Sequence, residues 1–305
     1  MLVLCNEEQR AIAEALATAA QSPGRSARIL VYPTTSRDGQ EPPADVADAM
    51  GEAVVVFAPT TFSLSHTRAR TQATSRGARI ATMPGITDAA FARAMPVDYV
   101  ELQQAGERVA AKLGSGSICR VTSAGGTDIV LSLEGRDAEV DDGNLQATPA
   151  FGNLPAGEAY IAPVEGSAEG LVVFDGSLAG YGLLDDPVGV KVARGRAVES
   201  DGEAGRWLLA TLDAGGARGR VLAELGIGTN PAATLSGNIL EDEKVIGTAH
   251  FAFGTNVSFG GANASTVHID GMLLEPTVEL DGRPLMREGE LLDSKDEGGK
   301  GCTSS

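Results

Sequence analysis

Ala53-Val-Val-Val-Phe57 is a continuous apolar run, the pattern of a strand buried on both faces, and it decides the reading of the first third of the chain. On its N-terminal side, Glu7–Ala20 is an Ala-rich helix pattern, Ser22-Pro-Gly24 breaks it, and a short strand, Arg28–Tyr32, precedes a helical piece at Asp45–Met50. On its C-terminal side a polar stretch, Thr60–Thr67, leads into an Arg- and Ala-rich helix that ends near Gly77. Another short strand, Arg79–Thr82, is stopped by Met83-Pro-Gly85, and helices follow over Asp88–Met95 and Asp98–Leu113. Strands alternating with helices predict an α/β domain over residues 1–113 built on a small, mainly parallel sheet.

After Gly114 the texture changes. Ile118–Thr122 and Asp128–Leu133 read as a hairpin around an Ala-Gly-Gly turn. Short β-like segments then dominate to about Arg287: Tyr160–Pro163, Gly170–Asp175, Val188–Val198, His250–Phe253, Thr266–Asp270 and Thr277–Leu280. Helices are expected near Asp201–Leu212 and Gly219–Leu225. Residues 114–292 are therefore expected to form an α+β domain with a curved, barrel-like antiparallel sheet, and 293–305 a polar, frayed tail.

The 24 basic against 41 acidic side chains leave a formal charge of −17, which argues against nucleic acid as a partner, since phosphate binding needs clustered Lys and Arg. No apolar run approaches the roughly 20 residues of a spanning helix, so no membrane segment is expected. The N-terminus lacks the basic start of a secretory signal, and three unpaired cysteines, Cys5, Cys119 and Cys302, fit reduced thiols in a cytoplasmic protein. No nucleophile elbow, Cys–His pair or phosphate loop is present.

Histidine is as scarce as cysteine: His66, His250 and His268. In Thr266-Val-His-Ile-Asp-Gly271, His268 and Asp270 are two residues apart, so in a strand both project from one face. An imidazole and a carboxylate at that spacing suit a first-row divalent metal; the other reading is a hydrogen-bonded pair facing solvent. His250 lies in the apolar strand pattern Gly247-Thr-Ala-His-Phe-Ala-Phe-Gly254, where a lone imidazole needs a buried partner. Phe259-Gly-Gly-Ala-Asn-Ala-Ser265 supplies a turn that could bring the two histidine segments together.

Two upstream acids could complete a site. Glu158 follows the Pro155-Ala-Gly157 turn, and Glu224 sits among Leu, Ala and Ile, where a carboxylate must be paired, metal-bound or turned to solvent. The run Glu241-Asp-Glu-Lys244 reads as a solvated loop, one member of which could support the site from behind. His66 follows the Ala53–Phe57 strand, where α/β sheets present ligands, and is a candidate for the substrate cleft.

Together these segments resemble the aminopeptidase T family of thermophilic-type metallopeptidases. The similarity rests on Asn153-Leu-Pro-Ala-Gly-Glu158, Glu224-Leu-Gly-Ile-Gly-Thr-Asn-Pro231, Leu240-Glu-Asp-Glu-Lys-Val-Ile-Gly-Thr-Ala-His250 and Ser265-Thr-Val-His-Ile-Asp270. They occur in order across roughly Ala150–Gly282; the N-terminal half resembles the family more loosely. The resemblance implies a cytoplasmic, homodimeric exopeptidase with two divalent metal ions (Zn, Co or Mn) held by Glu158, Glu224, His250, His268 and Asp270. Glu158 and Glu224 would also be catalytic, and the substrate a peptide or small amide attacked by metal-activated water. The family's catalytic tyrosine, seven residues after the third-motif histidine, is replaced here by Val257. Tyr160, Asn256 or Ser258 would have to supply its oxyanion contact, and Asn256 is taken as a substrate-binding candidate. The chain also resembles a related group of dioxygenases that open dihydroxypyridine rings with one Fe(II) held by two histidines and an aspartate. A third implied reading is a divergent metal-binding homologue without peptidase activity.

Overall fold

The computed structural model describes residues 1–21 and 26–292. The expected tail, 293–305, and Cys302 with it, lie outside the described residues. The chain begins β1 (Leu2–Cys5), α1 (Arg10–Ala19), β2 (Arg28–Val31), α2 (Ala44–Glu52), β3 (Val55–Thr60), α3 (Arg68–Ser75), β4 (Arg79–Pro84), α4 (Asp88–Ala94) and α5 (Tyr99–Ser115). It continues with β5 (Ile118–Thr122), β6 (Asp128–Ser132), β7 (Ala138–Asp141), β8 (Ala150–Asn153), β9 (Glu158–Ile161), β10 (Glu169–Phe174), β11 (Ser177–Leu178) and β12 (Gly182–Leu183). Last come β13 (Val188–Ala193), β14 (Arg196–Ser200), α6 (Gly202–Ala214), β15 (Leu222–Gly228), α7 (Ile239–Asp242), β16 (Thr248–Gly254), β17 (His268–Leu274), β18 (Thr277–Leu280), β19 (Arg283–Arg287) and β20 (Glu290–Leu291).

Contacts divide the chain into two units. The first comprises Met1–Gln103, Asp141–Gly157 and Ala232–Thr234, and the second the remainder. The expected parallel sheet is found in the first unit, in the order β2-β1-β3-β4-β8. Val56 of the apolar run is fully buried, as is Ala58 beyond it, but Val54 is 70% exposed and precedes the strand, so the run is buried only in part. Two of its strands were not read from sequence. Leu2-Val-Leu-Cys5 is only four residues, too short for a periodic signal, yet it pairs with both β2 and β3. Ala150-Phe-Gly-Asn153 carries no β-branched residue but adds beside β4. The division is thus not one cut after Leu113, because β8 returns residues 141–157 to the first sheet.

The second unit holds two antiparallel sheets. One has the order β14-β13-β10-β6-β5-β18-β19-β20, and the other β12-β11-β17-β16-β15-β9-β7. Both are curved but open at their edges, so the barrel-like expectation becomes a pair of open sheets. Val121, Ile129, Val172, Phe174 and Val190 of one share a core with Ile161, Leu225, Ile227, Phe251, Phe253 and Leu273 of the other. Alternation along β15 and β16 sends these residues to the core and the intervening ones to the opposite face.

One expected element is overturned. Gly219–Leu225 is not a helix: a single 3-10 turn at Gly216–Arg218 gives way to β15. Leu, Ala and Glu favour helix locally, but β9 and β16 bond β15 on both sides, and tertiary pairing outweighs propensity. Gly228 belongs to that pairing, since a side chain there would run into the backbone of Lys244 and Val245. Cys5 and Cys119 are free and buried, and burial pushes the Cys119 thiol up to about 12. Among the described residues no helix is long and apolar enough to cross a membrane.

Candidate metal centre

Four neighbouring strands, β9, β15, β16 and β17, present one face together. Gly228 of β15 pairs with Glu158 of β9, and Gly226 pairs with Tyr160 on one side and His250 on the other. Across the next ladder, Ala252 opposes Asp270 and Gly254 opposes His268. Residues two apart share a face, so Glu158, Glu224, His250, His268 and Asp270 converge above Gly226, Ala252 and Gly254. Small residues at those positions leave the volume that the ligating side chains occupy. At Gly226 the fit is tight: a Cβ would stand less than 3.0 Å from three atoms of the His250 ring.

Glu224 joins the two histidines. Its Oε1 lies 3.3 Å from His250 Nε2 and its Oε2 3.3 Å from His268 Nε2. His268 Nε2 is also 3.3 Å from Asp270 Oδ1. The tautomer of His268 is set from behind, where Nδ1 lies 2.8 Å from the Thr255 carbonyl. A carbonyl only accepts, so Nδ1 carries the proton and Nε2 faces the carboxylates. Phe259 meets the His268 ring edge-on, with centroids 6.0 Å apart, and meets Tyr160 in the same way at 5.4 Å.

On the other side, Glu158 Oε2 lies 3.5 Å from His250 Nε2, while its Oε1 accepts from the Lys244 ammonium. Lys244 also donates to Glu243 Oε1 at 2.7 Å. The run read as a solvated loop therefore contributes two site residues that sequence reasoning did not assign, Glu243 and Lys244. Four adjacent charges look like surface, but the short helix α7, which includes Glu241 and Asp242, turns this segment inward. A lysine next to three acids, as in Glu241-Asp-Glu-Lys244, gives no local signal of its burial.

The donors form two groups, Glu158–Glu243–His250 and Glu224–His268–Asp270, each with one ligand atom per residue within 4.8 Å of the others. Glu158 and Glu224 are each 6% exposed, and among the described residues Glu158 Oε2 and His250 Nδ1 have no hydrogen-bond partner. Carboxylate oxygens and imidazole nitrogens gathered within ligating reach are the donors a first-row divalent ion takes, so these residues fit a metal.

His66 is exposed in the first unit, just before Thr67, whose hydroxyl caps α3, and is not part of this cluster. Asn256 is buried and its amide is committed. Nδ2 donates to Glu165 Oε1 at 3.0 Å and Oδ1 accepts from the Asn263 backbone at 2.8 Å. That places the turn carrying Thr255, and hence the carbonyl behind His268. Val257 is 55% exposed and brings no polar atom.

The charges respond to this crowding. Burial works against the Glu224 carboxylate, but hydrogen bonds from His250 and His268 outweigh it and hold it down at about 2. Burial likewise disfavours charge on His250, yet Glu224, Glu158 and Glu243 raise it to about 9. His268 is raised well above the usual histidine range by Asp270 and Glu224 against its own burial. Burial pushes Glu243 up to about 8 although Lys244 pulls the other way. Metal ligation needs the neutral imidazole, so uptake near pH 7 must displace a proton. Affinity should rise about tenfold per pH unit for each proton released, and calorimetric heats should change between buffers of different ionisation enthalpy. Equal heats in all buffers would contradict protonated imidazoles. Because the folded pKa of His250 exceeds its unfolded value, its stabilising charge in the metal-free protein is present below about pH 6.5 and fades as pH rises through about 9.

A family model described as NicX, 2,5-dihydroxypyridine 5,6-dioxygenase, matches residues 2–293. Among solved structures, the 2,5-dihydroxypyridine dioxygenase from Pseudomonas putida KT2440 superposes with a TM-score of 0.80 at 18% identity, covering 97% of this chain and 92% of that one. Wild-type AmpT from Thermus thermophilus gives 0.71 at 21% identity, covering 96% and 94%. No curated protein sequence matches. At these identities the two structures speak for the fold, which is the one expected.

Proposed function

The chain belongs to the 2,5-dihydroxypyridine 5,6-dioxygenase family, and from that premise we propose that it is a ring-opening dioxygenase acting on a hydroxylated nitrogen heteroaromatic. The carrying observation is the family match over residues 2–293, which spans every ligand candidate. Of the two resemblances read in the sequence, this favours the ring-opening enzymes over aminopeptidase T. Glu224, His268 and Asp270 would hold a ferrous ion, with His250 on the far oxygen of Glu224. Bound iron supplies the one-electron chemistry that couples an electron-rich ring to dioxygen. Thr255 keeps Nε2 of His268 turned to the metal side. His250, held as an imidazolium by Glu158 and Glu224, presents an Nε2–H that can donate to an ionised ring oxygen.

A second reading, two-metal amide hydrolysis, is favoured by the presence of two ligand groups joined through Glu224. In that reading Val257 leaves the oxyanion without the relatives' phenol. The two are separated by loading the metal-free chain anaerobically with Fe(II), then offering 2,5-dihydroxypyridine with oxygen, and by loading it with Zn, Co or Mn and offering an aminoacyl amide. One oxygen consumed per ring opened, with no amide cleaved, is expected. Amide cleavage without oxygen uptake would replace the dioxygenase reading with the hydrolase.

A further inference from the structure

Lys244 is 0% exposed. An ammonium at that depth is costly unless carboxylates surround it, and here Glu158 Oε1 and Glu243 Oε1 do so. Its backbone is fixed on both sides. The Lys244 N–H donates to the Glu241 carbonyl at 2.9 Å, and its carbonyl accepts from Asn230 at 2.8 Å. Gly228 packs so closely against residues 244 and 245 that a Cβ would collide with them. Upstream, Asp242 anchors α7 by accepting from Ser177 Oγ at 2.6 Å and from the backbone of Ser236 at 2.7 Å and Gly237 at 3.0 Å. The backbone that carries the lysine is thus held beside the two glutamates.

The two ligand groups are therefore unequal. In Glu224–His268–Asp270 the ion pairs run to imidazoles, and His268 is preset by Thr255. In Glu158–Glu243–His250 both glutamates already touch a fixed positive charge. We propose that Lys244 is the resident cation of the Glu158–Glu243–His250 group, so that the chain takes up one divalent ion, at Glu224–His268–Asp270, and the other group opens to metal when the ammonium is removed. Unit charges about 4 Å apart in an effective dielectric of about 20 repel by roughly a thousandfold in a binding constant. A divalent ion beside Lys244 meets at least that penalty, and the carboxylates that would offset it are shared with the ammonium. The proposal rests on the metal-centre reading but not on the reaction.

The test is titration of the metal-free full chain with Co(II) alone, followed by calorimetry and visible absorption. Wild type should bind one ion per chain, with any second at least ~100-fold weaker. Lys244→Met should bind two, the second tightened to within about tenfold of the first, and circular dichroism reports whether the variant is folded. Two ions of similar affinity in wild type would overturn the proposal whether or not the variant folds. So would a folded Lys244→Met that still binds one. No substrate or oxygen is used, so one tight ion without ring-opening activity sinks only the proposed reaction, and two equal ions with oxygen uptake sink only this inference.

Discussion

Replacing His268 with alanine should abolish metal binding at the Glu224–His268–Asp270 group and, with it, turnover. His268 is the single nitrogen donor of that group, 3.3 Å from Glu224 Oε2 and from Asp270 Oδ1, and without it a soft divalent ion faces two carboxylates only. Loss of a partner behind a ligand costs about 10–100-fold in metal affinity, and loss of the ligand itself should exceed that, with activity falling at least ~1000-fold. The fold should survive, because the side chain projects from the face opposite the shared core and its strand stays paired with β16 through seven residues. Elemental analysis and oxygen uptake on the same preparation check this. A fully loaded, folded His268→Ala protein would mean that the metal lies elsewhere.

Gly226→Ala should be nearly as damaging, through packing. Gly226 lies in the middle of β15, bonded to β9 at Tyr160 and to β16 at His250, so neither neighbouring backbone can retreat. The added methyl would overlap Nε2, Cε1 and Cδ2 of His250, and that imidazole is fully buried. Overpacking of this kind costs about 3 kcal/mol at the upper end of its range. The relief available is rotation of His250 off Glu224 and Glu158. Thermal melting should show the loss of stability, and metal titration the weakening that follows when Glu224 loses the imidazole at its Oε1. A variant with wild-type melting temperature and metal affinity would show that the imidazole is not held where the structure has it.

The sequence was most informative where a residue's spacing alone sets its direction. His268 and Asp270 share a face because a strand has period two, and that inference needed nothing beyond Thr-Val-His-Ile-Asp. His250 was recognisable as an imidazole in an apolar strand. Glu224 reads as a ligand from its apolar surroundings, but its segment reads as a helix, since Leu, Ala and Glu carry helical preference and the pairing of β15 with β9 and β16 is visible only in three dimensions. Lys244 and Glu243 were hidden for the opposite reason: their composition spelled surface, and their burial depends on the Asp242 anchor and on contact with Gly228. The parallel sheet was legible through β2, β3 and β4, while β1 and β8 were too short, or too poor in branched residues, to register.

The register of β9, β15, β16 and β17 also bears on how such a protein can change over evolutionary time. Each donor is aimed by a backbone ladder whose opposite face is the core, so the scaffold is under selection for stability regardless of the chemistry it carries. Exchanging a carboxylate for an imidazole on that face changes the donor set without touching those hydrogen bonds. A lineage on this sheet can wander between reaction types by single side-chain replacements, whereas a one-residue slip of any of the four strands would turn its donors into the core and end both fold and function at once.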